Sequence, residues 1–165
     1  MRAELDAADA LGLGSDAIAG AGSLTPAVVV VKGTPGEADR SSGIALAGAD
    51  GDAVRKALDA LGVDGPLFAL CSRPATGGNP DAAARRLRLV IEALDPSLVV
   101  ALDRTAATDV SAAYAVPELV FGMPVRVGGR MVLAVDDLER SLNDGRKAEV
   151  WQQFRGLLGG QFTAR

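Results

Sequence analysis

The sequence predicts a single α/β domain built around a mostly parallel sheet. Four short apolar runs alternate with segments whose apolar residues recur at helical spacing, which favours parallel strands joined by right-handed helical crossovers. The 165 residues are enough for one domain with its own core, and 48% of them are hydrophobic. Because only 4% are aromatic, that core must be built mainly from Ala, Val and Leu.

The first half of the chain contains two predicted strands. The run of valines within 27–31 is short, β-branched and continuous, which is typical of a strand buried in a parallel sheet, and a second run follows at 67–71. Between them lie a Gly-rich loop at 33–36 and a helix expected over 51–61, where the apolar residues share one face. Residues 2–11 are expected to form a further short helix.

The second half continues the alternation and adds a hairpin. Asn79, Pro80 and Asp81 supply a cap, a first-turn proline and an acid, so a helix is expected from there to residue 94. Gly128-Gly129 separates two β-branched runs and predicts a tight turn. The remaining predicted elements are strands at 98–102 and 131–135 and helices at 104–113 and 146–158.

Composition and charge disfavour several classes of protein and site. A net charge of −4 and a pI of about 4.8 disfavour a nonspecific nucleic-acid binder, which gains affinity by releasing counterions with Lys and Arg. With one cysteine, Cys71, and no histidine, we expect no intramolecular disulfide, no metal site and no cofactor. No apolar run is long enough for a membrane span and the N-terminus lacks a signal-peptide pattern, so we expect a cytoplasmic protein that does not enter a membrane.

The ends of the predicted strands define the candidate site. Ligands of parallel α/β sheets bind at the carboxyl ends of the strands, which here lead into loops at 32–48, 71–79, 103–105 and 135–142. The 33–36 loop is able to present backbone N–H groups to an anion, but its glycine spacing fits no nucleotide-binding motif, and a simple tight connection is the alternative. Asp136 and Asp137 are interpreted as a catalytic or metal-ligand pair, or else as helix caps.

Five segments form an ordered series of motifs: Lys32-Gly33-Thr34-Pro35-Gly36, Gly43-Ile44-Ala45-Leu46-Ala47-Gly48, Phe68-Ala69-Leu70-Cys71-Ser72-Arg73-Pro74, Val100-Ala101-Leu102-Asp103 and Ala134-Val135-Asp136-Asp137-Leu138. In this order and spacing they resemble the uracil-DNA glycosylase superfamily, particularly its iron–sulfur branch. The family counterparts of the first two read Gly-Glu-Ala-Pro-Gly and Gly-Arg-Pro-Phe-Val-Gly. The later three read Asn-Val-Val-Lys-Cys-Arg-Pro, Val-Ala-Leu-Gly and a strand that ends in His-Pro-Ser. The resemblance covers roughly residues 26–158.

The resemblance implies a fold and a set of site residues. It implies one domain over residues 1–165, with a core of about 26–158, built as a three-layer α/β/α sandwich. The central sheet would have four parallel strands in the order 2-1-3-4, counted along the chain. A role in DNA repair would follow, with binding contacts at seven positions: Thr34, Pro35, Gly36, Leu46, Phe68, Arg73 and Asp103.

The positions that depart from the family motifs are those with catalytic and base-binding roles in the family. The acid that handles the attacking water corresponds to Gly33, and the Phe on which the flipped base stacks corresponds to Leu46. The Asn that reads the pyrimidine edge corresponds to Phe68. The His that stabilises the departing base corresponds to Asp136 or Asp137, with the register open by one residue, and a carboxylate there would oppose the developing negative charge.

Three functional hypotheses are consistent with these departures. We favour a catalytically inactive or repurposed member of the superfamily that binds a small molecule or a protein partner, because function resides in sites rather than in folds. One alternative is a divergent DNA glycosylase. The other is an enzyme of different chemistry, with five polar groups: Asp39, Arg73, Asp103, Asp136 and Asp137. Convergence of the aspartates in one pocket favours an enzyme, whereas helix capping disfavours it.

Overall fold

The computed structural model describes residues 17–75 and 79–159. The strands in these ranges are β1 Ala21–Gly22, β2 Val28–Lys32, β3 Leu67–Cys71, β4 Leu98–Ala101, β5 Val125–Val127 and β6 Arg130–Ala134. The helices are α1 Glu37–Ser42, α2 Ala49–Ala60, α3 Pro80–Leu94, α4 Arg104–Tyr114, α5 Leu138–Ser141, α6 Lys147–Phe154 and α7 Gly156–Gly159. The helix predicted at 2–11 lies outside the described residues. No helix within them combines the length and the apolar character needed to cross a bilayer.

The six strands form one mixed sheet in the order β1-β3-β2-β4-β6-β5. The four inner strands are parallel, whereas the outer strands β1 and β5 pair antiparallel with β3 and β6. The α/β class is therefore confirmed, and the prediction of a four-stranded parallel sheet in the order 2-1-3-4 is wrong. The two residues of β1 are too few to show a strand periodicity. The strand β5 arises from the hairpin at Gly128 and Gly129, both at positive φ, which folds the chain back onto β6.

Apolar side chains cover both faces of the sheet. On one face, alternate strand residues pack against α2 and α6 in a cluster that includes Val28, Val30, Val54, Leu58 and Phe154. On the other face, the intervening strand residues pack against α3 and α4 in a cluster that includes Val29, Val31, Leu87, Ile91 and Val110. Successive residues of a strand point to opposite faces, so the all-valine stretch of β2 contributes to both clusters. The described chain therefore has three layers, with the sheet between two layers of helices.

The parallel register brings the carboxyl ends of three strands to one edge of the sheet. Val31 of β2 lies opposite Ala101 of β4, and Ala101 lies opposite Ala134 of β6. The loops that leave these strands therefore begin side by side, which is the usual place for a ligand site in an open α/β sheet.

The ends of the helices follow local chemistry. The side chain of Asn79 accepts a hydrogen bond from the Asp81 amide at 2.9 Å, as expected of the cap that starts α3. The helix predicted at 146–158 is instead divided into α6 and α7, where Gly156 packs closely against the backbone of Gly122. The short helices α1 and α5 were not predicted, because four to six residues cannot show a helical period.

Candidate functional site

A cleft of about 640 Å³ lies at the carboxyl ends of β2, β4 and β6, and we call it the strand-end cleft. Among the residues that line it are four of the predicted site residues: Thr34, Asp103, Asp136 and Asp137. The cleft is also lined by cationic residues that the sequence did not single out, including Lys32, Arg104, Arg140 and Arg146. Topology explains the convergence of the aspartates, since Asp103 follows β4 and Asp136 and Asp137 follow β6.

Asp103 occupies the centre of this arrangement, and both of its carboxylate oxygens are engaged. One oxygen accepts a hydrogen bond from the amide of Gly33, and the other from the amide of Ala106, each at 2.8 Å. The second bond caps α4, and the first ties the loop after β2 to the loop after β4. Burial, together with the charge of Asp137, raises the pKa of Asp103 above its ordinary value, although the two amide bonds oppose this shift.

Gly33 has no room for a side chain. A Cβ atom added there would lie 2.6 Å from a carboxylate oxygen of Asp103 and 2.6 Å from Cβ of Thr105. Position 33 is therefore closed to a larger side chain by the carboxylate of Asp103 and by Thr105. A larger residue at position 33 would require Asp103 to move, and with it the cap of α4.

Asp136 and Asp137 line the same cleft but have different partners. The side chain of Asp137 accepts a hydrogen bond from the Arg140 amide at 3.2 Å and caps α5. The carboxylate of Asp136 lies 3.4 Å from the guanidinium of Arg146, which also binds Asp144 at 2.8 Å. Convergence in one pocket and helix capping were alternatives in the sequence, and the structure shows both. The three aspartates line one cleft, and two of them, Asp103 and Asp137, cap helices.

A buried ion cluster, which we call the Lys32 cluster, borders the cleft. The ammonium of Lys32 lies 2.8 Å from Asp39, 2.7 Å from Asp50 and 2.7 Å from Glu139. Three donors therefore meet three carboxylates. Burial alone would lower the pKa of Lys32, but the hydrogen bonds to Asp39, Asp50 and Glu139 raise it above its ordinary value.

Asp39 connects this cluster to the first motif. Besides Lys32, its carboxylate accepts hydrogen bonds from the amides of Gly36 and Ala47, both at 2.9 Å. These bonds hold the pKa of Asp39 below its ordinary value, although burial opposes the shift. Asp39, a predicted polar group of the alternative enzyme, is therefore committed to tying the loop at 33–36 to Ala47, in the segment before α2. Lys32 was not a predicted site residue. The one sign of its role in the sequence is that this lysine directly follows a buried run of valines.

The structure places Leu46 and Phe68 away from the strand-end cleft. Leu46 is 2% exposed and packs in the cluster on the α2 face of the sheet. Phe68 is 8% exposed and packs in the cluster on the opposite face, against α3. Since the sheet separates the two side chains, they do not contribute to a common pocket.

Arg73 does not line the cleft and instead contacts Asp109 of α4 and the backbone of Gly33. Its guanidinium forms a two-pronged interaction with the buried carboxylate of Asp109, at 3.0 and 2.9 Å, and the hydroxyl of Ser72 donates to the same carboxylate at 2.7 Å. The amide of Arg73 donates to the carbonyl of Gly33 at 2.9 Å. Arg73 therefore holds the end of β3 against the first motif loop and against α4. Pro35 is buried and Gly36 is half-buried in that loop, and only Thr34 of the three lines the cleft.

The charges that line the cleft nearly balance. Five acidic residues face four basic ones, and the charge of Lys32 is already matched by its own carboxylate partners. Arg104 stacks over the ring of Phe121 at 5.1 Å.

Within the described ranges, no group of three or more acidic or cysteine side chains is arranged to hold a metal ion. No protein-family model matches the chain, and no curated protein is significantly similar to it.

Proposed function

We propose that this chain is a uracil-DNA glycosylase-like protein that no longer excises bases and that serves as a binding protein through the strand-end cleft. In this proposal the parallel core β3-β2-β4-β6 is equivalent to the four-stranded sheet of the family, and β1 and β5 are additions at its edges. The observation that carries the proposal is the pairing of Gly33 with Asp103. The space of the motif acid is occupied by a carboxylate whose two oxygens already accept backbone hydrogen bonds.

The positions of Leu46 and Phe68 support the loss of base excision. A glycosylase must hold a flipped base between a stacking surface and hydrogen-bonding groups. The residues that correspond to those two tasks lie on opposite faces of the sheet, and both are buried in the core. Neither could contact a base in the cleft without unpacking its hydrophobic cluster.

The charge of the cleft supports a ligand other than DNA. Double-stranded DNA binds proteins largely by exchanging counterions for Lys and Arg side chains. Here the basic residues of the cleft are matched by carboxylates, so a phosphate backbone would meet no excess of positive charge. A polar ligand with both hydrogen-bond donors and acceptors suits this lining better, since Thr34 and Arg140 offer donors while Asp136 and Asp137 offer acceptors.

A second function is favoured by one observation on Asp103. Its carboxylate takes the space beside Gly33, and burial raises its pKa, which is the condition that suits a general acid or base. A divergent glycosylase, or another hydrolase that uses Asp103, would exploit this arrangement. The two backbone hydrogen bonds that Asp103 accepts argue against it, because they fix one oxygen on the loop after β2 and the other on the first turn of α4.

Incubation of the protein with a uracil-containing oligonucleotide, followed by alkaline cleavage of abasic sites, separates the two functions. We expect no abasic product above a protein-free control. Product that disappears in Asp103→Asn but persists in Asp144→Asn, a matched change of an exposed cleft carboxylate, would overturn the proposal and assign catalysis to Asp103. Product that survives both changes, and also Asp136→Asn and Asp137→Asn, would be traced to a contaminating enzyme by further purification.

A further inference from the structure

A second concave surface lies at the β1 edge of the sheet, and we call it the edge groove. It lies beside β1 and β3, has a volume of about 510 Å³, and shares no lining residue with the strand-end cleft. Ligand pockets for small molecules typically measure roughly 300–1,000 Å³. The edge groove is therefore large enough for a small ligand and is structurally separate from the site of the proposed function.

Apart from Arg55, the side chains that line the edge groove are apolar and mostly small, and exposed backbone contributes polar surface between them. Ala21, Ala45, Ala47 and Ala69 line it together with larger aliphatic residues. One of these, Ile44, is 42% exposed, so its aliphatic side chain is available to a ligand in the groove. A ligand that covers Ile44 and fills the space above the alanines would remove apolar surface from water.

One cation, Arg55, lines this apolar groove. Gly51, one turn earlier on α2, leaves room for its guanidinium, because a Cβ atom at position 51 would lie 2.9 Å from a guanidinium nitrogen of Arg55. The same missing side chain lets the carbonyl of Leu46 approach α2. Arg55 thus folds back toward the segment that forms the groove wall. Among the described residues it makes no ion pair and no side-chain hydrogen bond, in contrast to Arg73 and Arg130.

We propose that the edge groove binds a small apolar carboxylate, with the apolar body against Ile44 and the alanines and the carboxylate on Arg55. The charge of Arg55 decides the class of ligand. A guanidinium without a protein partner is matched best by a planar carboxylate, to which it can donate two parallel hydrogen bonds. The aliphatic side chains favour an apolar remainder on the ligand, because Arg55 is the one charged side chain among the residues that line the groove.

Phenylacetate is a suitable probe, because it combines a compact ring with one carboxylate, and phenylacetamide is its neutral match. The isotope-labelled full-length protein is titrated with each compound, and backbone amide chemical shifts are followed. We expect phenylacetate to shift the amides of Gly22, Ala45 and Ala47, and phenylacetamide to bind at least about tenfold more weakly, the factor expected for one charge-assisted interaction.

Two exposed substitutions test the site without disturbing the core. Arg55→Gln should weaken phenylacetate binding by at least about tenfold, and Ala47→Leu should block both compounds by filling the groove. Lys56→Gln, an exposed neighbour on α2 that does not line the groove, should bind like the wild type. Shifts that map elsewhere, shifts that are insensitive to Arg55→Gln, equal binding of the amide, or no shifts at all would each overturn the proposal. The amide spectra themselves report whether each variant is folded.

Discussion

Replacing Lys32 by Met should destabilise the protein by about 3 kcal/mol. The side chain of Lys32 is 4% exposed, and those of Asp39 and Asp50 are 1% and 3% exposed, so the substitution leaves two buried carboxylates without their cation. Removing one partner of a buried pair typically costs about 3–5 kcal/mol. We expect the lower end of this range, because Asp39 keeps its bonds from Gly36 and Ala47. For a chain of this size the loss corresponds to a decrease in Tm of roughly 6–12 °C.

Urea unfolding monitored by circular dichroism and by the fluorescence of Trp151 measures this loss. Two matched variants act as controls. Glu139→Gln should cost less than about 1 kcal/mol, because the Glu139 side chain is 47% exposed and its charge is screened by solvent. Lys56→Met changes an exposed lysine and should leave stability within about 0.5 kcal/mol of the wild type. A Lys32→Met variant as stable as Lys56→Met would refute the role of the Lys32 cluster.

The pH dependence of stability gives an independent test of the same cluster. The pKa of Asp39 in the folded protein is below its ordinary value of 3.8, so its contribution is fully present above that pH. The contribution is lost as the pH falls through the lower, folded-state pKa. The pKa of Lys32 is raised above its ordinary value of 10.5, so its contribution is present below that pH and is lost only at still higher pH. The wild type should therefore lose stability more steeply below the ordinary Asp value than Lys32→Met does.

Three further outcomes follow from the site. Gly33→Ala should lower stability by about 1–3 kcal/mol in thermal unfolding, because its Cβ meets Asp103 and Thr105, and an unchanged Tm would mean that both residues move freely. Arg73→Ala should cost about 2 kcal/mol, since it leaves the buried Asp109 with Ser72 alone, and more than Arg104→Ala, whose side chain is 69% exposed. Burial raises the pKa of Cys71 to about 12, so the thiol should react with a disulfide reagent only after unfolding, and rapid labelling of the native protein would contradict this.

The sequence predicted the parts of the fold that depend on short-range patterns. The four inner strands are continuous apolar runs, and helices such as α3 begin with residues whose capping chemistry is local. Of the two edge strands, β5 was indicated by the local Gly128-Gly129 turn, whereas β1 depends on tertiary contacts. The two residues of β1 form a strand only because Ala21 and Gly22 pair with Ala69 and Phe68 of β3, far along the chain.

The same limit applies to the candidate site. Asp103 and Asp136 follow parallel strands, so topology alone brings them to one edge of the sheet. The Lys32 cluster joins residues from β2, α1, α2 and α5, and no spacing in the sequence links Glu139 to Lys32. Leu46 was a predicted contact through the resemblance alone. Whether its side chain faces the cleft or the core depends on backbone conformation, and Leu46 adopts a positive φ of 57°.

The close approach of Gly33 and Asp103 has a consequence for how this protein can change over evolutionary time. A side chain at position 33 and a carboxylate in the present place of Asp103 exclude one another, because both need the same volume. A single substitution that introduces an acid at position 33 would therefore meet a steric barrier. Removing Asp103 first would uncap α4 and release the loop after β2. Placing an acid at position 33 therefore requires two coordinated changes that pass through a less stable intermediate, so the present pairing of Gly33 with Asp103 is protected against stepwise replacement.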